Sequence, residues 1–309
     1  MLRSRVRPYH MRMNSRLRPA ALLAALVALV GSASVRAAPF PSLNTPASTE
    51  HHAGKLVWAD LFTANPEEAA KFYCGLLGWT ATTLDQKGKS YTVFSNEGRP
   101  VAGLAPRAAR GTTRASRWIG YYAVTDLPAA LERVTKLGGT VRAAAHPFPH
   151  RGVQAIVTDL DAIPIGLLES SSGDSPDDAI QVGGWNWFEL YAQHPGTSSD
   201  FYRDAIGFTV APETNTERKS EFILSSDGQK RGGIAPLPEG DGVKASWLGV
   251  IRVADLDQTL AKVPGLGGEV LVTPHAAEFG SRFAIILDPT GGTVGLVQYL
   301  DNDNPTPSQ

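Results

Sequence analysis

The chain has 309 residues, 42% of them hydrophobic and 19% charged, which excludes wholesale disorder and leaves room for about two domains. A formal net charge of -1 gives no electrostatic case for a nucleic-acid partner. The one cysteine, Cys74, excludes an intramolecular disulfide and any cysteine-built metal site, and its helical setting reads as that of a small packed residue.

In chain order, residues 1–37 read as a secretory signal peptide. Arg3, Arg5, Arg7, Arg12, Arg16 and Arg18 form a basic run, an apolar run from Ala20 to Val30 follows, and Val35-Arg36-Ala37 suits cleavage after Ala37. The apolar run is short for a membrane span, so no stable membrane anchor is expected after cleavage and the product is secreted or periplasmic. A presequence of mitochondrial type and an uncleaved anchor are the weaker alternatives, and the start codon is open between Met1, Met11 and Met13. Residues 38–54, rich in Pro, Ser and Thr, are expected to be a linker that includes His51 and His52.

From Val57 the run VWADLFT alternates like a strand and ends in Asn65-Pro66. Pro66 begins a helix with Asn65 as N-cap, Glu67 and Glu68 in the first turn, and Ala69, Phe72, Tyr73, Leu76 and Leu77 at helical spacing; Gly78 stops it. The β-rich runs YTVFS and VAGLAP follow. The cycle then restarts: Trp118 to Val124 is a strand, Asp126 to Leu137 a helix stopped by Gly138-Gly139, and TVRAAA, GVQAIVTD and IPIGLLES are strands. Residues 171–184, polar and acidic, read as a second linker.

After that linker the chain repeats itself. Trp58 matches Trp187, Asp60 matches Glu189, and Phe72-Tyr73 matches Phe201-Tyr202, always 129 residues on. Trp118 and Trp247, His146 and His275, Asp159 and Asp288, and Gly166 and Gly295 keep the same spacing. So many matches at one offset mark a duplication. It predicts domains at residues 55–170 and 185–300, each of two βαβββ units, and a disordered tail at residues 301–309. Gly138-Gly139 and Gly267-Gly268 are helix stops and not nucleotide loops.

W-x-[DE]-L, then N-P or H-P, FY and LLGW, a later W-x-x-x-x-x-V-x-D-L, and a closing D-P-T-G-G-x-x-G-L together resemble the vicinal oxygen chelate superfamily. That superfamily holds glyoxalases, bleomycin-resistance proteins and extradiol dioxygenases, and the likeness is to its tandem, glyoxalase-like branch. It covers Lys55 to Tyr299. It implies an α+β fold in which four βαβββ modules form two glyoxalase-like domains with curved mixed sheets, each a cup for a ligand.

The resemblance also implies where a metal would sit: on His, Glu or Gln side chains of the first and last strands of each unit. Those slots fall on Trp58, Trp187, Gly166 and Gly295. An indole N–H donates and cannot hold a cation. RPVAGLAP, KRGGIAP, WIGYYAV and WLGVIRV contain no Asp, Glu or His. Glu169 and Gln298 lie three residues past the glycines, on the opposite face of a strand. One carboxylate per cup, Asp60 or Glu189, is too few for a tight metal site, so neither a metal nor another cofactor is expected.

Trp58, Asp60, Tyr121, Trp187 and Glu189 are therefore the expected ligand-binding residues. An aromatic surface with one acid suits a small organic ligand, partly cationic or hydroxylated. The competing reading makes the tryptophans core residues and the acids members of closed hydrogen-bond networks. No catalytic residue is assigned. The alternative function is a lyase, isomerase or dioxygenase, either metal-dependent or using Asp60 or Glu189 as acid–base groups. His146 and His275, each beside a proline, are expected in turns with a structural role. Pairing of the two domains within the chain is expected, and a homodimer is left open.

Overall fold

The computed structural model describes residues 40–86, 89–108, 116–177, 180–213, 220–240, 244–277 and 280–300. The expected signal peptide and the expected tail lie outside the described residues.

Strand β1 (Leu56–Thr63) sends Ala59 and Leu61 into the main apolar core, while Trp58 and Asp60 take the other face. Helix α1 (Pro66–Leu77) buries Ala69, Phe72, Tyr73 and Leu76 and ends at Gly78, whose φ of 74° a residue with a side chain adopts poorly. Asn65 stands at the N-cap position, but its side chain does not cap: the amide reaches Glu68 Oε2 at 3.4 Å, and its backbone N–H donates to Thr63 Oγ1 at 3.1 Å. Strands β2 (Thr80–Gln86), β3 (Lys89–Asn96) and β4 (Arg99–Pro106) complete the first unit, β4 running parallel to β1. The second unit is β5 (Arg117–Ala123), α2 (Leu127–Lys136), β6 (Thr140–Phe148), β7 (Gly152–Thr158) and β8 (Pro164–Ser170). Here the cap is made, with Asp126 accepting from the Ala129 N–H at 2.9 Å.

The second copy repeats the pattern. It comprises β9 (Trp185–Ala192), α3 (Pro195–Ile206), β10 (Thr209–Pro212), β11 (Phe222–Ser226) and β12 (Gln229–Pro236), then β13 (Ser246–Arg252), α4 (Leu256–Lys262), β14 (Glu269–Ala277), β15 (Ser281–Leu287) and β16 (Thr293–Tyr299). Each copy makes one eight-stranded mixed sheet, in the orders β2-β3-β4-β1-β5-β8-β7-β6 and β10-β11-β12-β9-β13-β16-β15-β14. The α+β architecture of two glyoxalase-like sheets is thus as expected.

Both sheets lie in one compact unit and share a core. Helix α1 packs against α4, and α2 against α3, so each copy's helices meet those of the other. The duplication shows in the bonding. The Tyr73 hydroxyl takes the Trp118 indole N–H at 2.8 Å and donates to Asp288 at 2.8 Å. Tyr202 takes the Trp247 N–H at 3.1 Å and donates to Asp159 at 2.8 Å. Each tyrosine reaches an aspartate of the other copy, so the contact is self-complementary.

The connecting segments are built into the fold. Ser172 and Asp174 are buried. Ser172 Oγ accepts from the backbone N–H groups of Leu43 and Asn44, Asp174 accepts from the His52 N–H at 2.8 Å, and the Asp174 N–H donates to Glu50 O at 2.8 Å. The stretch expected as a linker before the first domain is therefore docked from Phe40 onward. His146 and His275 lie within β6 and β14 and not in turns. Their prolines are tolerated there because both strands are sheet edges with irregular register at the histidine.

Candidate functional site

In the first cup, β1 and β5 pair so that Trp58 lies opposite Tyr121, and β5 runs parallel to β8 with Tyr121 beside Gly166. The Trp58 indole N–H donates to Asp60 Oδ1 at 2.8 Å, and the Tyr91 hydroxyl donates to the same oxygen at 2.7 Å. Burial first, and the Asp60 carboxylate charge second, push the Tyr121 phenol well above the ordinary range. Tyr91 is raised by the same two causes in the same order. Trp58, Asp60 and Tyr121, expected together, are together, and they are 4%, 2% and 1% exposed.

What closes this cup was not expected. The Arg151 guanidinium lies over the Trp58 ring, 3.9 Å from its centre, and Nη1 donates to the Tyr91 hydroxyl at 3.1 Å. Arg151 reaches inward from a tight turn: His150 has φ 70°, and Gly152, at φ 128°, has no room for a Cβ against the Glu169 carbonyl. Phe40, from ahead of the repeat, packs its ring on Tyr91 and on Phe148 at 4.7 Å each.

The second cup carries Trp187 and Glu189 on β9, with the indole N–H donating to Glu189 Oε2 at 2.6 Å. Ser220 donates to the other carboxylate oxygen at 2.8 Å. On the same strand face, two residues on, Tyr191 is raised to about 12 by burial and by the Glu189 charge. Val250 stands opposite Trp187, and Phe283 crosses His275 edge-on at 5.7 Å. Trp187, Tyr191, His275 and Phe283 are only half-buried, unlike the residues of the first cup. The position matching Arg151 is Gly280, and the one matching Tyr121 is Val250.

Glycines make room in both copies. A Cβ on Gly103 would collide with Asp60 and the Tyr91 hydroxyl, and one on Gly233 would lie 2.5 Å from Glu189 Oε2. Gly166 lies under the Tyr121 ring, and a Cβ on Gly295 would lie 2.8 Å from the Phe283 ring. Glu169 and Gln298 point away from the cups, accepting from the backbone N–H groups that open α2 and α4 at 2.9 and 3.0 Å. Among the described residues no group of three or more His, Cys, Asp or Glu is placed to hold a metal ion. A crevice of about 350 Å³ lies between the two copies, and Trp58, Trp187, Lys55, Asp177 and Arg231 form part of its wall.

A sequence model of the Glyoxalase/Bleomycin resistance protein/Dioxygenase superfamily matches residues 55–166 and 184–296, one match to each sheet. The chain belongs to that superfamily. Among similar proteins, CFP32 of Mycobacterium tuberculosis, provisionally named a glyoxylase, is 28% identical over 271 residues, which cover 85% of this chain and 100% of CFP32. The anthracycline biosynthesis protein DnrV of Streptomyces peucetius is 27% identical, over 80% of this chain and 94% of its own. Solved structures of the same fold include the Mn(II)-bound glyoxalase from Novosphingobium aromaticivorans, at TM-score 0.55 and 14% identity, covering 81% of this chain and 84% of that one. The 2,2',3-trihydroxybiphenyl 1,2-dioxygenase from Sphingomonas wittichii aligns at TM-score 0.54 and 17% identity, over 80% and 90% of the two chains. No helix among the described residues is long and apolar enough to cross a membrane.

Proposed function

We propose that this tandem superfamily member is an exported binding protein that holds a small organic molecule in its second cup without a chelated metal. The observation that carries the reading is the half-buried Trp187 beside Glu189, on a wall continued by Tyr191 and Phe283. Such a wall gives a flat ligand ring area to stack on, and a cationic or hydroxyl group of the ligand would add to the hydrogen bonds that the Glu189 carboxylate already accepts from Trp187 and Ser220. A metal fits the donor set poorly. The slots that the resemblance assigns to ligands hold an indole, Trp58 or Trp187, and a glycine covered by an aromatic ring, Tyr121 over Gly166 or Phe283 beside Gly295. That the two copies agree at both matched positions, Trp58 with Trp187 and Gly166 with Gly295, supports the reading further. Acid–base catalysis through Asp60 or Glu189 has less support, because both carboxylates are buried and each already accepts two hydrogen bonds, from Trp58 and Tyr91 or from Trp187 and Ser220.

A thermal-shift screen of small organic molecules on the unaltered chain tests this, because a ligand of the folded state raises the melting temperature. A hit whose shift is abolished by Glu189→Ala but kept by Asp60→Ala supports the second cup. A shift indifferent to Glu189→Ala overturns the assignment.

A further inference from the structure

We propose that the first cup is a site for a planar aromatic carboxylate, and that Phe40 is the stand-in that occupies it in this structure. The inference rests on the reading of the cups as ligand sites, and it concerns the copy that is closed. Phe40 is 6% exposed and sits among Tyr91, Phe148 and the guanidinium of Arg151, whose Cζ is 5.2 Å from the centre of its ring. The ring comes from a segment ahead of the repeat, so the cup is complete without it.

The guanidinium shows what is missing. Arg151 is 1% exposed, yet among the described residues only Nη1 of its guanidinium has a hydrogen-bond partner, the Tyr91 hydroxyl. Nε and Nη2 are buried and unpartnered among the described residues, as is Gln154 Oε1. A buried charged donor left without a partner is costly, and the structure keeps two on one group. Asp60 does not answer the charge directly, because its Oδ1 is taken by Trp58 and Tyr91 and the guanidinium reaches it only through the Tyr91 hydroxyl. Nε and one terminal nitrogen form the fork that a carboxylate fills with two parallel hydrogen bonds.

The chemistry is then complementary in two parts. The aromatic box now holding the Phe40 phenyl takes the ligand's ring, and a carboxylate on that ring takes Nε and Nη2. Ligand and Phe40 compete for one place. The segment behind Phe40 stays attached meanwhile, since Leu43, Asn44 and Ser48 are bonded to Ser172.

Isothermal titration with sodium benzoate, and with benzamide as its uncharged match, tests the inference on the full chain. Benzoate is expected to bind Phe40→Ala at least tenfold more tightly than the unaltered chain, and at least tenfold more tightly than benzamide binds the same variant. Adding Arg151→Met is expected to erase the difference between the two probes. Equal binding of benzoate and benzamide to Phe40→Ala overturns the proposal, as does benzoate binding that survives Arg151→Met. Should Phe40→Ala fail to fold, the Trp58 indole N–H resonance of the unaltered chain reads the same place, and no shift at saturating benzoate overturns it. A screening hit lost in Glu189→Ala, with no benzoate effect at Trp58, sinks this inference and leaves the second-cup reading standing. Absence of both removes both.

Discussion

Tyr73 of the first copy donates a hydrogen bond to Asp288 of the second at 2.8 Å, and Tyr202 of the second donates to Asp159 of the first at the same distance. Each tyrosine also receives a tryptophan N–H, from Trp118 and Trp247. The duplicated halves are joined by reciprocal buried hydrogen bonds as well as apolar contact. Removing the hydroxyl with Tyr73→Phe leaves the Trp118 N–H and one Asp288 oxygen without this partner. The expected loss of stability is about 1–3 kcal/mol, read as a lower urea midpoint. A loss within error would show that the exchange contributes nothing.

The glycines of the fourth strands make a second prediction. Gly103→Ala puts a methyl into Asp60 and Tyr91, both buried, and is expected to cost about 2 kcal/mol or more. Gly196→Ala is the control: it lies in α3, nothing approaches its position within 4 Å, and alanine favours a helix there. Thermal unfolding of both variants should separate them clearly, with only Gly103→Ala melting lower.

A third prediction concerns acid. Asp177 accepts Arg231 through two bonds of 2.5 and 2.8 Å and pairs with Lys55 at 2.7 Å, which ties the connector to both copies. Partial burial pushes its carboxyl up, but the hydrogen bonds from Arg231 and Lys55 outweigh that and hold it well below the usual carboxylate range. A carboxyl lowered in the folded state stabilises the fold fully above its unfolded value near pH 4, and that contribution is lost as pH falls toward the folded value. Because the pair is partly solvated, the contribution is about 1 kcal/mol. Asp177→Asn should therefore lower stability at pH 7 and flatten part of the decline below pH 4. Parallel pH–stability curves for the two proteins would contradict this.

Much of the fold could be read from the sequence because duplication gave every element a second witness. The period of two correctly put Trp58 and Asp60 on one face of β1, and turned Glu169 away from the Gly166 face of β8. The site was less legible. Tyr91 enters from β3 and Arg151 from a hairpin turn, and neither position shows in a periodicity. Comparing the copies, which revealed the rest, conceals Arg151 because its counterpart is Gly280. Phe40 precedes the repeat and has no counterpart at all. The histidines were misplaced because a neighbouring proline signals a turn, whereas an irregular edge strand accommodates it equally well.

The central claim is that the second cup binds an organic ligand through aromatic and carboxylate contacts without a metal. Its most direct test is a titration of the best screening hit, by calorimetry, before and after dialysis of the protein against a strong chelator. The affinity should be unchanged by the chelator and lost in Glu189→Ala. An affinity that collapses on dialysis and returns with added Mn, Ni, Zn or Fe would contradict the claim and restore the metal chemistry of the wider superfamily.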